Sequence, residues 1–223
     1  MNKSIVMHYV SKTLLVGAVL FLLPALVSVY YKEYDIARTF LITALCVAII
    51  SAPLSIIKPK NNHLYAREGL VIVALMWVIY PIVGALPFWI SGEIPNLIDA
   101  VFESVSGFTT TGSTILTDIE GLSRGMLFWR SLTHWVGGMG VLVLAIAILP
   151  SNNDALYLMR CECAGPQVGK IVPKGKTTAL YLYLIYGVLT AILIILLFAG
   201  GMPLFDSVCH AMGTAGTGGF SIK

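Results

Sequence analysis

The chain has 223 residues, of which 57% are hydrophobic and only 11% charged, with a mean hydropathy of +0.87. A water-soluble domain carries about 25% charged residues, so this chain cannot cover itself with a solvated surface and is expected to sit in a membrane. The formal net charge of +3 is too small to argue for a nucleic-acid partner.

Lys3, His8 and Lys12 precede the first apolar run in the manner of a signal sequence. No small-residue cleavage site follows and further apolar runs do, so the run is expected to stay as an anchor. Five segments are long enough to cross: 13–31, 36–57, 70–90, 127–149 and 178–198. Each is near the ~20 residues that span about 30 Å of hydrocarbon as a helix. Runs such as Ala191 to Leu197 do not alternate in polarity, which excludes barrel strands. Pro24, Pro53 and Pro81 are compatible with membrane helices. The expected class is an all-α integral membrane protein.

Between the first two segments, Lys32, Glu33, Asp35 and Arg38 make a neutral loop. Lys58, Lys60 and Arg67 follow the second segment, and Arg160, Lys170, Lys174 and Lys176 follow the fourth. With Lys3 and Lys12, these cationic clusters fall on one side, placing that side and the N-terminus in the cytoplasm of a multi-pass plasma (cell inner) membrane protein. Glu93, Asp99, Asp118 and Glu120 then face the opposite side.

This sidedness requires the stretch between the third and fourth segments to dip in and return. Pro95-Asn96 breaks the chain, and a short helix is expected over 98–107 with Asp99 as the carboxylate capping its first turn. The return stretch carries Thr109-Thr110-Thr111-Gly112-Ser113. The pattern recurs after the fifth segment: Pro203 and Asp206 open a second short helix running to about Met212, followed by Gly216-Thr217-Gly218-Gly219-Phe220-Ser221. Aligning Asp99 with Asp206 also aligns Gly112 with Gly219. The organisation is therefore an N-terminal hairpin (1–60), a first helix–pore loop–helix repeat with a re-entrant pore helix (68–150), a cytoplasmic linker (151–177) and an incomplete second repeat (178–223).

A short re-entrant helix followed by small residues can present backbone carbonyls to a dehydrating cation without the deep trap of a fixed carboxylate. Glycine frees the dihedrals that aim those carbonyls. Thr109, Thr110, Thr111 and Gly112, with Thr217, Gly218 and Gly219, are the candidate ion selectivity filter. A packing role for each loop is the alternative, and the matched register disfavours it. A phosphate loop is excluded because no Gly-Lys-Ser/Thr is present and no strand precedes the glycines.

At the start of the fourth segment, His134, Trp135, Gly137 and Gly138, with Gly140, form a cluster expected to support the filter. Gly137 and Gly140 would allow close approach to the first loop. Arg124 and Arg130 are expected to be structural counter-charges to Asp118 or Glu120. Glu103 and His210 occupy equivalent positions in the two short helices, yet no nucleophile–base pair accompanies them, so no enzyme activity is expected. Cys46 and Cys209 are expected to be buried thiols, and Cys161-Glu162-Cys163 lacks the further ligands of a zinc site.

The stretches 107–114, 134–141 and 216–221 together resemble those of TrkH-type potassium uptake proteins of the Trk/Ktr/HKT superfamily, specifically their N-terminal half. The resemblance implies four helix–pore loop–helix repeats about a pseudo-fourfold pore, with potassium as the permeating ion and no tightly bound cofactor. It also implies a homodimer in the membrane and a cytoplasmic nucleotide-binding regulatory subunit. On these positions it implies potassium held by the carbonyls of Thr110, Thr111, Gly112, Thr217, Gly218 and Gly219. With two filter loops and no closing helix after the second, the chain is expected to act within a longer parent rather than alone. A sodium-permeating or sodium-coupled transporter and a non-conducting scaffold subunit remain alternatives.

Overall fold

The computed structural model describes residues 3–57, 66–140 and 175–222. Among these the regular structure is entirely helical: α1 (Lys3–Leu20), α2 (Leu22–Tyr30), α3 (Tyr34–Ile56), α4 (Ala66–Ser91), α5 (Leu97–Phe108), α6 (Arg124–Met139), α7 (Gly175–Ala199) and α8 (Leu204–Ala215). Four helical stretches are long and apolar enough to cross a membrane: Lys3–Tyr30, Tyr34–Ile56, Arg67–Ser91 and Ala179–Ala199.

The first crossing begins earlier than its apolar run. Polar residues near its start bond back along the helix, Ser11 Oγ donating to the His8 carbonyl at 3.0 Å and Thr13 Oγ1 to that of Tyr9 at 2.8 Å. Such bonding removes the cost of unpaired hydroxyls in an apolar setting. The crossing is interrupted at Phe21, just before Pro24, which sits in the first turn of α2 where its missing N–H leaves no bond unmade. Pro53, Pro81 and Pro87 lie inside α3 and α4.

Only the first part of the expected fourth crossing falls among the described residues. Helix α6 has 16 residues, about 24 Å at 1.5 Å per residue, and ends at Gly140, whose φ of +84° takes the chain out of helical geometry. The rest of that apolar run and residues 151–174 of the expected linker, with Cys161 and Cys163, lie outside the described residues, as do Lys58 and Lys60, while 175–177 already belong to α7.

Trp129 of α6 anchors the core. It is 2% exposed, packs against Phe21 (4.6 Å between centroids), Phe40 and Phe108 (both 6.1 Å), and donates Nε1–H to the Gly84 carbonyl at 3.0 Å. The N-terminal hairpin is thereby packed onto the element that supports the loops. Tyr80 of α4 adds a second tie, donating its hydroxyl to the Thr13 carbonyl of α1 at 2.5 Å. Apolar side chains such as Leu45, Ile49, Leu184 and Ile195 are exposed on the outer faces, the distribution that hydrocarbon rather than water tolerates. Cys46 lies on such a face, exposed rather than buried as its apolar neighbours suggested, whereas Cys209 is buried.

Candidate functional site

Helices α5 and α8 are each 12 residues long, about 18 Å and too short to span hydrocarbon of about 30 Å. The chain leaves α4, descends through α5 and comes back to its starting level. Glu93, just before α5, accepts from the Ser123 amide at the start of α6, its carboxylate oxygens 3.4 and 3.3 Å away. Burial pushes the Glu93 carboxyl above the usual carboxylate range, and the bonds from Ser123 oppose that. Glu33, in the α2–α3 turn, accepts from the Arg124 amide at 2.8 Å and the Gly125 amide at 3.0 Å. Helix α8 enters at this same end: Arg124 pairs with Asp206 at 3.7 Å, and Tyr31 and Arg124 both pack on the Phe205 ring.

Glu33 does more than satisfy two amides. Its charge meets the positive end of α6 and clamps the hairpin to the loop-bearing half. Glu33→Ala should lower thermal stability by about 1 kcal/mol, the usual cost of a lost helix cap. Glu33→Gln should retain part of it, read as the melting midpoint of the purified protein.

Two of the expected caps are corrected. The side-chain cap of α5 is Asn96, whose Oδ1 accepts from the Ile98 amide at 3.0 Å, and the N-cap of α8 is Pro203, with no side-chain bond. Asp99 and Asp206 sit in the first turns, where the sequence places them. There they favour the helix through charge, and Asp206 is engaged by Arg124.

Beyond the short helices the two loops follow one backbone path. The amides of Thr109, Thr110 and Thr111 donate to the carbonyls of Val105, Gly107 and Ser106 at 2.9, 3.1 and 3.0 Å. Those of Gly216, Thr217 and Gly218 donate to Met212, Thr214 and Gly213 at 3.0, 3.0 and 2.9 Å, the same pattern in the same register. Thr110 and Thr217 both have φ of 55°, and Gly112 and Gly219 have φ of 77° and 88°. Left-handed threonine is uncommon, so its recurrence at equivalent positions marks a conformation imposed by the surroundings. No backbone amide among the described residues donates to the carbonyls of Thr110, Thr111, Gly112, Thr217 or Gly219. The two loops touch: a Cβ on Gly112 would overlap the Gly218 carbonyl oxygen.

Helix α6 packs against both loops and sets their approach. A Cβ on Gly137 would overlap the Phe108 carbonyl, and one on Gly138 would come within 2.6 Å of the Gly216 Cα. One glycine thus admits the first loop and the next admits the second, while Gly140 serves as the helix stop. His134 is fully buried, stacked on Phe220 at 4.0 Å, with its ring edge against Gly218. Trp135 braces α7 rather than a loop, stacking on Tyr186 at 5.2 Å and donating Nε1–H to the Thr190 hydroxyl at 3.1 Å.

The partners expected for the arginines are also corrected. Arg124 pairs with Asp206, and Arg130 with Glu103 at 2.6 Å, while Asp118 accepts from the Gly121 amide within its own turn. Glu103 is the residue that sequence reasoning undervalued. The available signal was two opposite charges, Glu103 and Arg130, each embedded in an apolar segment where neither can remain unpaired. Among the described residues, no group of three or more His, Cys, Asp or Glu is placed to hold a metal ion.

Residues 35–223 match the TrkH family, described as cation transport protein. The chain is 40% identical over 228 residues to the Trk system potassium uptake protein TrkH of Salmonella typhimurium, covering 96% of this chain and 46% of that protein. It is 35% identical over 201 residues to the Trk system potassium uptake protein TrkG of Escherichia coli, covering 89% and 41%. The crystal structure of the potassium transporter TrkH from Vibrio parahaemolyticus superposes with a TM-score of 0.82 at 32% identity, covering 100% of this chain and 45% of that one. The chain spans somewhat less than half the length of these relatives.

Proposed function

This chain belongs to the TrkH family of cation transport proteins, and from that premise we propose that it supplies two filter loops to a potassium path across the membrane. The carrying observation is the pair of loops with equivalent dihedrals and hydrogen bonds, in contact with each other, whose carbonyls at Thr110, Thr111, Gly112, Thr217 and Gly219 receive no backbone amide from the described residues. A polar group at membrane depth without a protein partner needs water or an ion, and a dehydrated cation is what a carbonyl-lined turn accommodates. Helices α5 and α8 add to this by directing their negative C-terminal ends toward the loops.

Thr109, Thr110, Thr111, Gly112, Thr217, Gly218 and Gly219 are the proposed filter. Potassium is coordinated through the carbonyls from Thr110 to Gly112 and from Thr217 to Gly219. Gly137, Gly138 and His134 fix the spacing of the loops, and Trp135 holds α7 against them. The remaining filter quadrants come from the longer parent that the resemblance implies. That parent is proposed to dimerise in the plasma membrane, N-terminus cytoplasmic, and to bind a cytoplasmic nucleotide-binding regulator. As a member of a transport family, the chain carries no catalytic reaction.

Rubidium uptake into membrane vesicles bearing the full-length parent tests this directly. Potassium should compete with rubidium at concentrations at which sodium does not. Equal competition by the two ions would replace the potassium assignment with a sodium-permeating one, and absence of uptake would favour the scaffold.

A further inference from the structure

Glu103 and Arg130 form an ion pair that is 1% and 2% exposed, with Arg130 Nε donating to Glu103 Oε1 at 2.6 Å. Each partner also reaches a different loop. Glu103 accepts the Thr114 hydroxyl at 3.0 Å on both oxygens and the Ile115 amide at 3.1 Å. Arg130 donates Nη1–H to the Ser221 carbonyl at 2.6 Å, and its guanidinium lies 3.6 Å from the centroid of the Phe220 ring. Thr114 and Ser221 are equivalent positions, each two residues beyond the filter glycine of its loop.

Two requirements meet here. The ends of two loops on separate short helices must be held at a fixed spacing, and a planar guanidinium with several diverging N–H groups can hold a carboxylate and a carbonyl together. A lone guanidinium beside a cation path would, however, repel the ion, strongly so where water is excluded. The carboxylate both binds it and cancels its charge.

We infer that Arg130 is a positioning residue that fixes the spacing of the two loops through the Ser221 carbonyl, and that Glu103 keeps this tie electrically neutral so that a cation can occupy the path. The inference rests on the cation-path reading above. It makes the two members of one buried pair act in opposite directions on ion affinity, whereas a purely structural pair would lose function in the same direction from either side.

The test measures potassium half-saturation and potassium-over-sodium preference of the full-length parent in vesicles, normalised to protein in the membrane. Glu103→Gln leaves a net positive charge and should raise half-saturation by about tenfold. Arg130→Gln leaves a net negative charge and should lower it by a similar factor, with weakened preference because the Ser221 tie is lost. The double variant should return half-saturation to within about twofold of the wild type while preference stays weakened. Arg130→Lys keeps the charge but cannot reach both partners, so half-saturation should hold and preference should fall.

Shifts of both single variants in one direction, or a double variant whose half-saturation does not return to within about twofold of the wild type, would overturn the inference. Should Glu103→Gln fail to accumulate, the arginine variants decide: half-saturation lowered by Gln but not by Lys supports it, and any other result overturns it. Gly112→Ala, run alongside, separates the two levels. If it leaves preference intact, the cation-path reading fails; if it acts as expected while the charge variants do not, only this inference fails.

Discussion

Gly112→Ala should reduce potassium-over-sodium preference by tenfold or more, and Gly219→Ala should do so by clearly less. Both glycines have positive φ, at 77° and 88°, where an L side chain costs about 1–2 kcal/mol. Only at Gly112 does the added Cβ also overlap a backbone atom, the Gly218 carbonyl oxygen, while nothing lies within 4 Å of a Cβ on Gly219. The first substitution therefore displaces a proposed ion ligand in the opposite loop as well as straining its own. Since tenfold corresponds to about 1.4 kcal/mol, displacing a single carbonyl is enough to produce the difference. Rubidium uptake with graded sodium competition reads both variants. Equal effects would mean that dihedral strain alone matters and that the contact between the loops does not.

Gly137→Ala should destabilise the protein by about 1–3 kcal/mol or more, the range for overpacking a tight contact. The neighbour it would strike is the Phe108 backbone, including its carbonyl oxygen, and that backbone is the C-terminal turn of α5. No side chain can rotate away to make room. Either α6 moves off the first loop or the turn preceding Thr109 changes shape. Gly187→Ala is the matched control, since nothing lies within 4 Å of its Cβ and alanine favours a helix interior by about 1 kcal/mol. In thermal melts of the detergent-solubilised parent, Gly137→Ala should lower the midpoint while Gly187→Ala leaves it level or raises it. A common response would show that the close approach of α6 to the first loop does not matter.

Much of this was legible in the residues because the motif occurs twice. Aligning Asp99 with Asp206 predicted that Gly112 and Gly219 correspond, and their dihedrals do, as do those of Thr110 and Thr217. Apolar run length also located α3, α4 and α7 closely. Past Gly140, whose φ of +84° ends α6, the apolar stretch continues outside the described residues. The aspartates do stand in the first turns, but an aspartate there and a cap three residues earlier leave similar traces in sequence, and Asn96 holds the capping bond of α5. Pairing was misread for a different reason. Asp118 and Glu120 are nearer to Arg124 and Arg130 in sequence, but burial of Arg130 demanded an equally buried carboxylate, and only the packing of α5 on α6 delivers Glu103 to it.

The two loops are proposed to present their carbonyls to a shared cation site. Anomalous diffraction from crystals of the full-length parent grown in rubidium addresses it without relying on function. The account predicts a peak between the loops, coordinated by carbonyl oxygens from both the Thr110–Gly112 and Thr217–Gly219 stretches. Density that avoids this region while rubidium binds elsewhere along the transport path would contradict it.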